Sequence, residues 1–131
     1  MIIAYPYYAA AADGDELRLS MRSLARNLRG DFDVCVIGDK PDWYNGRFIR
    51  HHQITPAQYK NLTGRRLPGK GDFRLGLIDT MWKYAALSQC KTIPDRLLIM
   101  WDDTFILKPL PVSYFETARY EGDIPQKFVG S

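Results

Sequence analysis

The sequence predicts an α/β fold, a three-layer α/β/α sandwich with a mostly parallel sheet. Three short apolar segments have the composition of buried strands: Ile2–Tyr5, Phe32–Ile37 and Leu97–Trp101. Between them lie two stretches in which apolar residues recur with the period of a helix. Strands that alternate with helices favour a parallel sheet covered by helices. Right-handed crossovers then place the carboxyl ends of the strands at one edge of the sheet.

The size and composition indicate one domain that spans residues 1–131, with a C-terminal truncation left open. Apolar residues make up 46% of the chain and charged residues 25%, which is ordinary for a globular domain. The net charge of +3 does not favour nucleic acid as a partner. We expect no membrane span, because no apolar run reaches about 18 residues. Without a recognisable signal peptide, and with Cys35 and Cys90 expected to be reduced, a cytoplasmic location is expected.

The first half of the chain is predicted to contain a strand, a helix and two further strands. The first strand is expected to end at Pro6, because proline cannot donate a hydrogen bond to a strand ladder. Asp13 and Glu16 have the spacing of a capping box, which predicts that the helix begins near residues 14–15. After Phe32–Ile37, Arg47–His51 is predicted as a short strand. The apolar face of the helix is expected to consist of Leu17, Met21, Leu24 and Leu28.

The second half is predicted to contain a loop, a helix and a last buried strand. Residues 55–72 combine turn-forming and basic residues, so we predict a loop with at most one helical turn. Asp72 can cap the helix that follows. After Leu97–Trp101, Pro109 and Pro111 break regular structure. The apolar face of the second helix is expected to consist of Leu75, Ile78, Trp82, Ala85 and Ala86.

Two adjacent carboxylates, Asp102 and Asp103, directly follow the apolar strand Leu97–Trp101. Ligands bind to open α/β sheets at the carboxyl ends of the strands. Neighbouring carboxylates repel each other unless a cation lies between them, and Mg²⁺ or Mn²⁺ carrying a phosphate would fill that role. Thr104 could add a hydroxyl ligand. The alternative is a polar strand end at which one Asp caps a turn.

A basic, glycine-containing segment precedes the second helix. It contains Arg65, Arg66, Lys70 and Arg74, with glycines that allow close approach of the backbone to an anion. A loop of this kind that runs into the amino terminus of a helix suits a diphosphate. Lys70 and Arg74 are therefore candidate ligands of a nucleotide, and a solvated loop is the alternative.

Two further candidates follow the first two strands. Asp39, in the segment Gly38–Trp43, lies where an acid commonly contacts a ribose or base, although a plain turn is an equal alternative. Tyr5 and Pro6, followed by two more tyrosines, are candidates for stacking on a base or sugar. Packing in the core is the alternative for them, and His51 and His52 are expected to be structural or solvated.

A phosphate-binding P-loop is a further alternative. Residues 64–71 fit the pattern GxxxxGK, and the later acidic strand could hold its Mg²⁺. However, Gly71 stands where a P-loop has the Ser or Thr that binds Mg²⁺, and no apolar strand precedes Gly64. The context that the motif requires is therefore missing.

Several motifs together resemble a glycosyltransferase of the GT-A type, near the bacterial and phage proteins related to capsule-sugar (Stealth-like) transferases. They are DELRLSMRSL at residues 15–24, VIGDKP at residues 36–41, and WDD at residues 101–103 followed by FILKP at residues 105–109. The similarity spans roughly residues 1–111. It implies a nucleotide-diphosphate sugar as donor, a glycan or similar acceptor, and Mg²⁺ or Mn²⁺ as cofactor.

The resemblance also implies roles for individual residues. Asp103 would ligate the metal directly, while Asp102 would face the ribose or the waters of the metal. Asp39 would contact the uracil or ribose, and Arg74 would lie near the diphosphate. Trp101 stands where many members of the family have Asp or Asn, so the first acid of a DXD motif is absent.

The short segment after Asp103 contains no residue that its context marks as the catalytic base. Only 28 residues follow Asp103, they contain no His, and their acids are Glu116, Glu121 and Asp123. The chain is then a fragment, a minimal donor-binding domain, or a subunit that needs a partner or a second copy. The alternatives in function are a nucleotide-binding module without catalysis and an interaction domain that uses the basic stripe Arg18, Arg22, Arg26 and Arg29.

Overall fold

The computed structural model describes residues 1–94 and 96–117. These residues form an α/β structure with three α-helices and a parallel sheet, which confirms the predicted α/β class and the mostly parallel sheet. Glu121 and Asp123, which were considered as acids near the C-terminus, lie outside the described residues. The helices are α1 (Glu16–Asn27), α2 (Pro56–Thr63) and α3 (Phe73–Gln89). The strands are β1 (Ile2–Tyr7), β2 (Leu28–Arg29), β3 (Asp33–Gly38), β4 (Arg47–Arg50), β5 (Leu97–Ile99) and β6 (Leu110–Pro111).

The main sheet has the strand order β4-β3-β1-β5, and all of its pairs are parallel. In its centre, Tyr5 lies opposite Val36, and Ile3 lies opposite Leu98. The two short strands β2 and β6 form a separate parallel pair. Because the main strands run in one direction, the segments that follow β1, β3 and β5 meet at one edge, here called the carboxyl edge.

Alternate residues of β1 pack against different helices. Ile3 and Tyr5 belong to a core cluster that includes Leu17 and Leu24 of α1. The intervening residues of β1, Ile2 and Ala4, belong to a second cluster with Leu87 of α3. The period of two along a strand explains this division, since successive side chains point to opposite faces of the sheet. Helices therefore cover both sides of β1.

β1 continues through Pro6 to Tyr7 instead of ending at Pro6 as predicted. The O of Ala4 accepts a hydrogen bond from Met100 N on one side, and the O of Tyr7 accepts from Asp39 N on the other. The nitrogen of Pro6 thus faces the side of β5, beyond the point where β5 ends. The missing N–H costs no ladder hydrogen bond there, so the strand tolerates the proline.

Two helix predictions need correction. The predicted capping box of α1 is not formed: Asp15 is the N-cap and makes no side-chain capping bond, while Glu16 N donates to the backbone O of Asp13. The predicted loop over residues 55–72 contains the eight-residue helix α2. Its capping box joins Thr55 and Gln58, and proline at the first helical position favours the start of the helix.

The buried face of α3 also differs from the prediction, and so does the last strand. The residues of α3 that are most buried are Asp79, Lys83 and Leu87, while the predicted core residue Ala85 is exposed. The buried strand predicted over Leu97–Trp101 is the three-residue strand β5, which is only half-buried and lies at the end of the described sheet. No helix within the described ranges is long and apolar enough to cross a membrane.

Candidate functional site

The ends of β1 and β3 are held together at the carboxyl edge. Asp39 N donates to the O of Tyr7 over 3.0 Å. Gly38 has a φ of +122°, and a Cβ at this position would lie 2.1 Å from the O of Tyr7. Only glycine fits such a close approach of two backbones. The tight junction fixes where the following side chains lie.

The carboxylate of Asp39 orders the loop after β1. Its Oδ2 accepts a hydrogen bond from Ala9 N over 2.8 Å, at the start of the short 3₁₀ helix Ala9–Ala11. Asp39 is half-buried and lies at the carboxyl edge, as the sequence predicted. Through this hydrogen bond Asp39 has a structural role, since it holds the loop after β1.

Asp102 and Asp103 lie in a turn directly after β5. Thr104 N donates to the O of Trp101 over 3.1 Å, which closes the turn around the two acids. Asp102 is half-buried and Asp103 is exposed. Burial, together with the neighbouring Asp103, raises the pKa of the Asp102 carboxyl. The two acids thus form a polar turn, which was the alternative interpretation, and this turn lies at the carboxyl edge of the sheet.

Polar side chains of α1 hold the segment that follows the acids. Ser20 Oγ donates to the backbone O of Thr104, and Ser23 Oγ accepts from Ile106 N over 2.9 Å. The amide of Asn27 donates to the O of Ile106. Three side chains one or two turns apart on α1 therefore fix the position of the acidic turn. The hydroxyl of Thr104 has no such contact in the described part of the chain.

The acidic turn also affects the start of α1. The pKa of Glu16 is raised, with burial as the first cause and the charges of Asp13, Asp102 and Asp103 as further causes. Negative charge therefore accumulates where α1 begins beside the turn. A cation at this place would relieve the repulsion.

A cavity of about 170 Å³ opens at the carboxyl edge, between the end of β1, the start of α3 and the acidic turn. β1 and its following loop contribute Pro6, Tyr7 and Tyr8. Trp101 and Asp102 contribute the opposite wall. The remaining lining residues are Ala11, Gln53, Gly76, Asp79, Thr80 and Lys83.

A buried ion pair lies beside this cavity. Asp79 and Lys83, one turn apart on α3, are 4% and 2% exposed. The Nζ of Lys83 donates to Oδ2 of Asp79, and Oδ1 of Asp79 accepts from Ile54 N over 3.0 Å. The pair therefore links α3 to the segment after β4. Neither residue was predicted to belong to the site, although the sequence has an acid and a lysine four positions apart inside an apolar helix.

Tyr5 does not reach the cavity. Its side chain is fully buried, and its hydroxyl shares a hydrogen bond of 2.8 Å with Ser20 Oγ. Burial raises the pKa of Tyr5 to about 12. The structure thus places Tyr5 in the core, which was the alternative to stacking, while Pro6 lines the cavity.

Lys70 and Arg74 are exposed and lie before and at the start of α3. Arg74 forms an ion pair with Asp72, with 2.7 Å between its guanidinium and the carboxylate. Asp72 also caps α3 by accepting from Arg74 N, as predicted. The two basic residues do not line the cavity, but Arg74 lies two positions before Gly76, which does.

The segment with the GxxxxGK pattern does not have the structure of a P-loop. A P-loop joins a strand to a helix, whereas α2 precedes Gly64 and ends there with Gly64 at a φ of +69°. A helix therefore stands here in the place where a P-loop requires a strand. This finding removes the main structural support for the P-loop alternative.

Among residues 1–94 and 96–117, no group of three or more His, Cys, Asp or Glu side chains could hold a metal ion by itself. Mg²⁺ commonly binds through one or two carboxylates, with waters and the phosphates of a substrate as its other ligands. Two adjacent carboxylates, one of them with a raised pKa, fit that mode of binding. Asp102 and Asp103 are thus the residues that could hold the ion.

A second cavity, of about 750 Å³, lies beside β5 and the C-terminal half of α3. Its walls include Leu87, Leu97–Ile99 and Phe115. It adjoins Glu116, close to residues 118–131 outside the described part, and contains neither acid of the turn. The carboxyl edge is therefore the better candidate site.

In comparisons with family models, with curated proteins and with solved structures, no match to this chain was found.

Proposed function

We propose that this protein binds a nucleotide-diphosphate sugar together with Mg²⁺ or Mn²⁺ and transfers the sugar to a glycan or similar acceptor. The observation that carries the proposal is the acidic turn of Asp102 and Asp103 beside a cavity at the carboxyl edge of a parallel sheet. Ligands bind at this edge in open α/β sheets. Helices on both sides of β1 fit the three-layer sandwich that the resemblance to GT-A glycosyltransferases implies.

The proposal assigns separate tasks to the residues of the site. Asp103 and Asp102 would hold the metal ion, which supplies electrostatic stabilisation for the departing diphosphate when it is bound. Lys70 and Arg74, near the start of α3, would approach the same phosphates from outside the cavity. Arg74 would have to leave its exposed ion pair with Asp72 in order to contact the phosphates.

Asp39 and the end of β1 would position the nucleoside part. Asp39 fixes the loop after β1 through Ala9 N, so that Pro6 and Tyr7 form one wall of the cavity. Positioning of this kind contributes to catalysis because the reacting groups meet in the right geometry. The residue that serves as the catalytic base is not assigned.

A thermal-shift panel tests the proposal. The nucleotides are UDP, GDP, CDP, CMP and ATP, each with and without Mn²⁺. We expect one nucleoside diphosphate to raise the midpoint of unfolding only when Mn²⁺ is present, because ligands that bind the folded state stabilise it. Release of the nucleotide from the matching nucleotide sugar would then establish transfer or hydrolysis.

A matched pair of variants shows whether the acidic turn is responsible. Asp103→Asn should abolish the Mn²⁺-dependent stabilisation, whereas Asp31→Asn, an exposed acid before β3 at the opposite edge of the sheet, should retain it. Equal stabilisation of the two variants would contradict the assignment of the metal. Metal-dependent binding without turnover would favour a nucleotide-binding module without catalysis.

A further inference from the structure

The cavity at the carboxyl edge contains a buried cation with unused donors. Lys83 is 2% exposed and lines the cavity, and a lysine ammonium carries three N–H donors. Within residues 1–94 and 96–117, Asp79 is the only acceptor found for Nζ. Buried donors without an acceptor are costly. The ammonium is therefore prepared to donate to a group that enters the cavity.

The charge balance of the cavity decides which acceptor fits. Its walls carry one formal positive charge, on Lys83, and two negative charges, on Asp79 and Asp102. A phosphate or carboxylate in this space would meet a net negative surface, and its burial would be unfavourable. A neutral group with a carbonyl-type acceptor can accept from Lys83 without this cost.

The size and the walls of the cavity indicate a flat ring. A volume of about 170 Å³ is below the roughly 300–1,000 Å³ of pockets that enclose a drug-sized ligand. It therefore suits one small ring and not a whole nucleotide sugar. Tyr7, Tyr8 and Trp101 supply aromatic surface, on which nucleobases stack.

We infer that the cavity binds a pyrimidine base, with Lys83 donating a hydrogen bond to a carbonyl oxygen of the ring and Asp79 holding the ammonium in place. Thr80 and Gln53 line the same space and offer a hydroxyl and an amide to the other polar atoms of the base. The inference rests on the proposed function in one respect, namely that the ring belongs to the nucleotide donor.

The ion pair of Asp79 and Lys83 also stabilises the fold. The experiment must therefore separate an effect on stability from an effect on binding. Asp79 holds Ile54 N, and a Cβ at Gly38 would lie 2.8 Å from Cε of Lys83, so the lysine packs closely against the end of β3. Loss of one partner alone would leave an unpaired buried charge. The double variant Asp79→Asn/Lys83→Met removes both charges and keeps similar side-chain volumes. The matched control is Asp33→Asn/Arg47→Met, which removes the exposed pair between β3 and β4.

The test is an NMR titration of the ¹⁵N-labelled full chain with uridine, which has neither phosphate nor need of a metal. We expect shifts of the amides of Tyr7, Thr80 and Trp101, and weaker binding of adenosine, whose ring system is larger. The Asp79→Asn/Lys83→Met variant should bind uridine about tenfold or more weakly than wild type, the loss expected for one hydrogen bond from a charged donor. The Asp33→Asn/Arg47→Met control should bind it as wild type does.

Unchanged uridine affinity in the cavity variant, or absence of shifts at the cavity, would overturn the inference. If the cavity variant does not fold, Thr80→Val takes its place, and unchanged uridine affinity in it would overturn the inference equally. Mn²⁺-dependent binding of UDP that persists in the cavity variant would keep the proposed function while the inference fails. Uridine binding that is weakened in the cavity variant would support the inference. If UDP binding at the same time depends on neither Mn²⁺ nor Asp103, the proposed function fails while the inference stands.

Discussion

Two ion pairs on the same helix, α3, differ in almost every respect. Asp72 and Arg74 lie at the exposed start of the helix, where the side chain of Arg74 is 64% exposed. Asp79 and Lys83 lie one turn apart in its middle, where both are almost completely buried. The first pair is screened by water, whereas the second faces a low dielectric and the walls of a cavity. Burial therefore determines how strongly the two charges of each pair interact.

The two pairs also show why the buried face of α3 was predicted incorrectly. Asp72 was recognised because an acid before an apolar run is a local capping signal. Asp79 and Lys83 were missed because an apolar face was expected to contain apolar residues only, and Ala85 was counted into it. A buried polar pair requires partners from elsewhere in the fold, here Ile54 N and the end of β3. Such partners cannot be located from the helix alone.

The largest effect is expected from breaking the buried pair on one side. Lys83→Met leaves the carboxylate of Asp79 buried without its cation, so we expect the free energy of unfolding to fall by about 3–5 kcal/mol. Urea denaturation measures the change. The double variant Asp79→Asn/Lys83→Met should recover most of the loss, because no unpaired charge remains. If the single and double variants are equally destabilised, the pair does not act through its charges.

The exposed pair should give smaller effects, with the cap more important than the ion pair. Asp72→Ala removes the acceptor for Arg74 N and should lower the free energy of unfolding by clearly less than Lys83→Met does. Arg74→Ala removes the exposed ion pair only and should have the smaller effect of the two. The same denaturation measurement at high salt should reduce the second effect, since salt screens exposed charges. A larger loss for Arg74→Ala than for Lys83→Met would reverse the comparison of the two pairs.

The smallest effect is expected at Asp102, a half-buried carboxylate beside another acid. Its pKa is raised in the folded protein, by burial first and by Asp103 second. A carboxyl of this kind binds its proton more tightly when folded, so its charge lowers stability as the pH rises through the folded pKa. Asp102→Asn should therefore stabilise the protein at pH 7, and the gain should disappear below the unfolded pKa of about 3.9.

Thermal unfolding of wild type and Asp102→Asn across this pH range checks the sign. Asp31→Asn, at the opposite edge of the sheet, serves as the exposed control and should show no comparable gain. A variant at Asp102 that is less stable than wild type at pH 7 would contradict this prediction and would mean that the charged carboxylate makes stabilising contacts. In the presence of a nucleoside diphosphate, addition of Mn²⁺ should stabilise wild type at pH 7 and have little effect on Asp102→Asn.

Much of the fold was predictable because its signals are local. The strands Ile2–Tyr7 and Asp33–Gly38 carry continuous apolar runs, and the first helix buries Leu17 and Leu24 of its predicted apolar face. Leu28, which was also assigned to that face, lies beyond the end of the helix in β2. α2 was taken for a loop because its composition is polar and glycines follow it, although Thr55 and Gln58 form a capping box. The short length and edge position of β5 depend on its pairing with Ile2–Ala4, which the apolar run at Leu97 does not reveal.

The candidate site was predictable only in part. Asp39, Asp102 and Pro6 were expected at the carboxyl edge and lie there, because strand ends can be located from the sequence once the sheet is taken as parallel. The choice between packing and stacking for Tyr5 depends on the position of Ser20, which the fold alone determines. The roles of all these residues in binding stay predictions.

Paramagnetic broadening by Mn²⁺ locates the place at which the ion binds. In the presence of a nucleoside diphosphate, substoichiometric Mn²⁺ should broaden the amide signals around the acidic turn, from Trp101 to Thr104, together with those of Tyr7 and Glu16. Asp103→Asn should abolish this pattern, and Asp31→Asn should preserve it. Broadening that is absent, or that is centred elsewhere in the chain, would contradict a metal-dependent nucleotide site at the carboxyl edge.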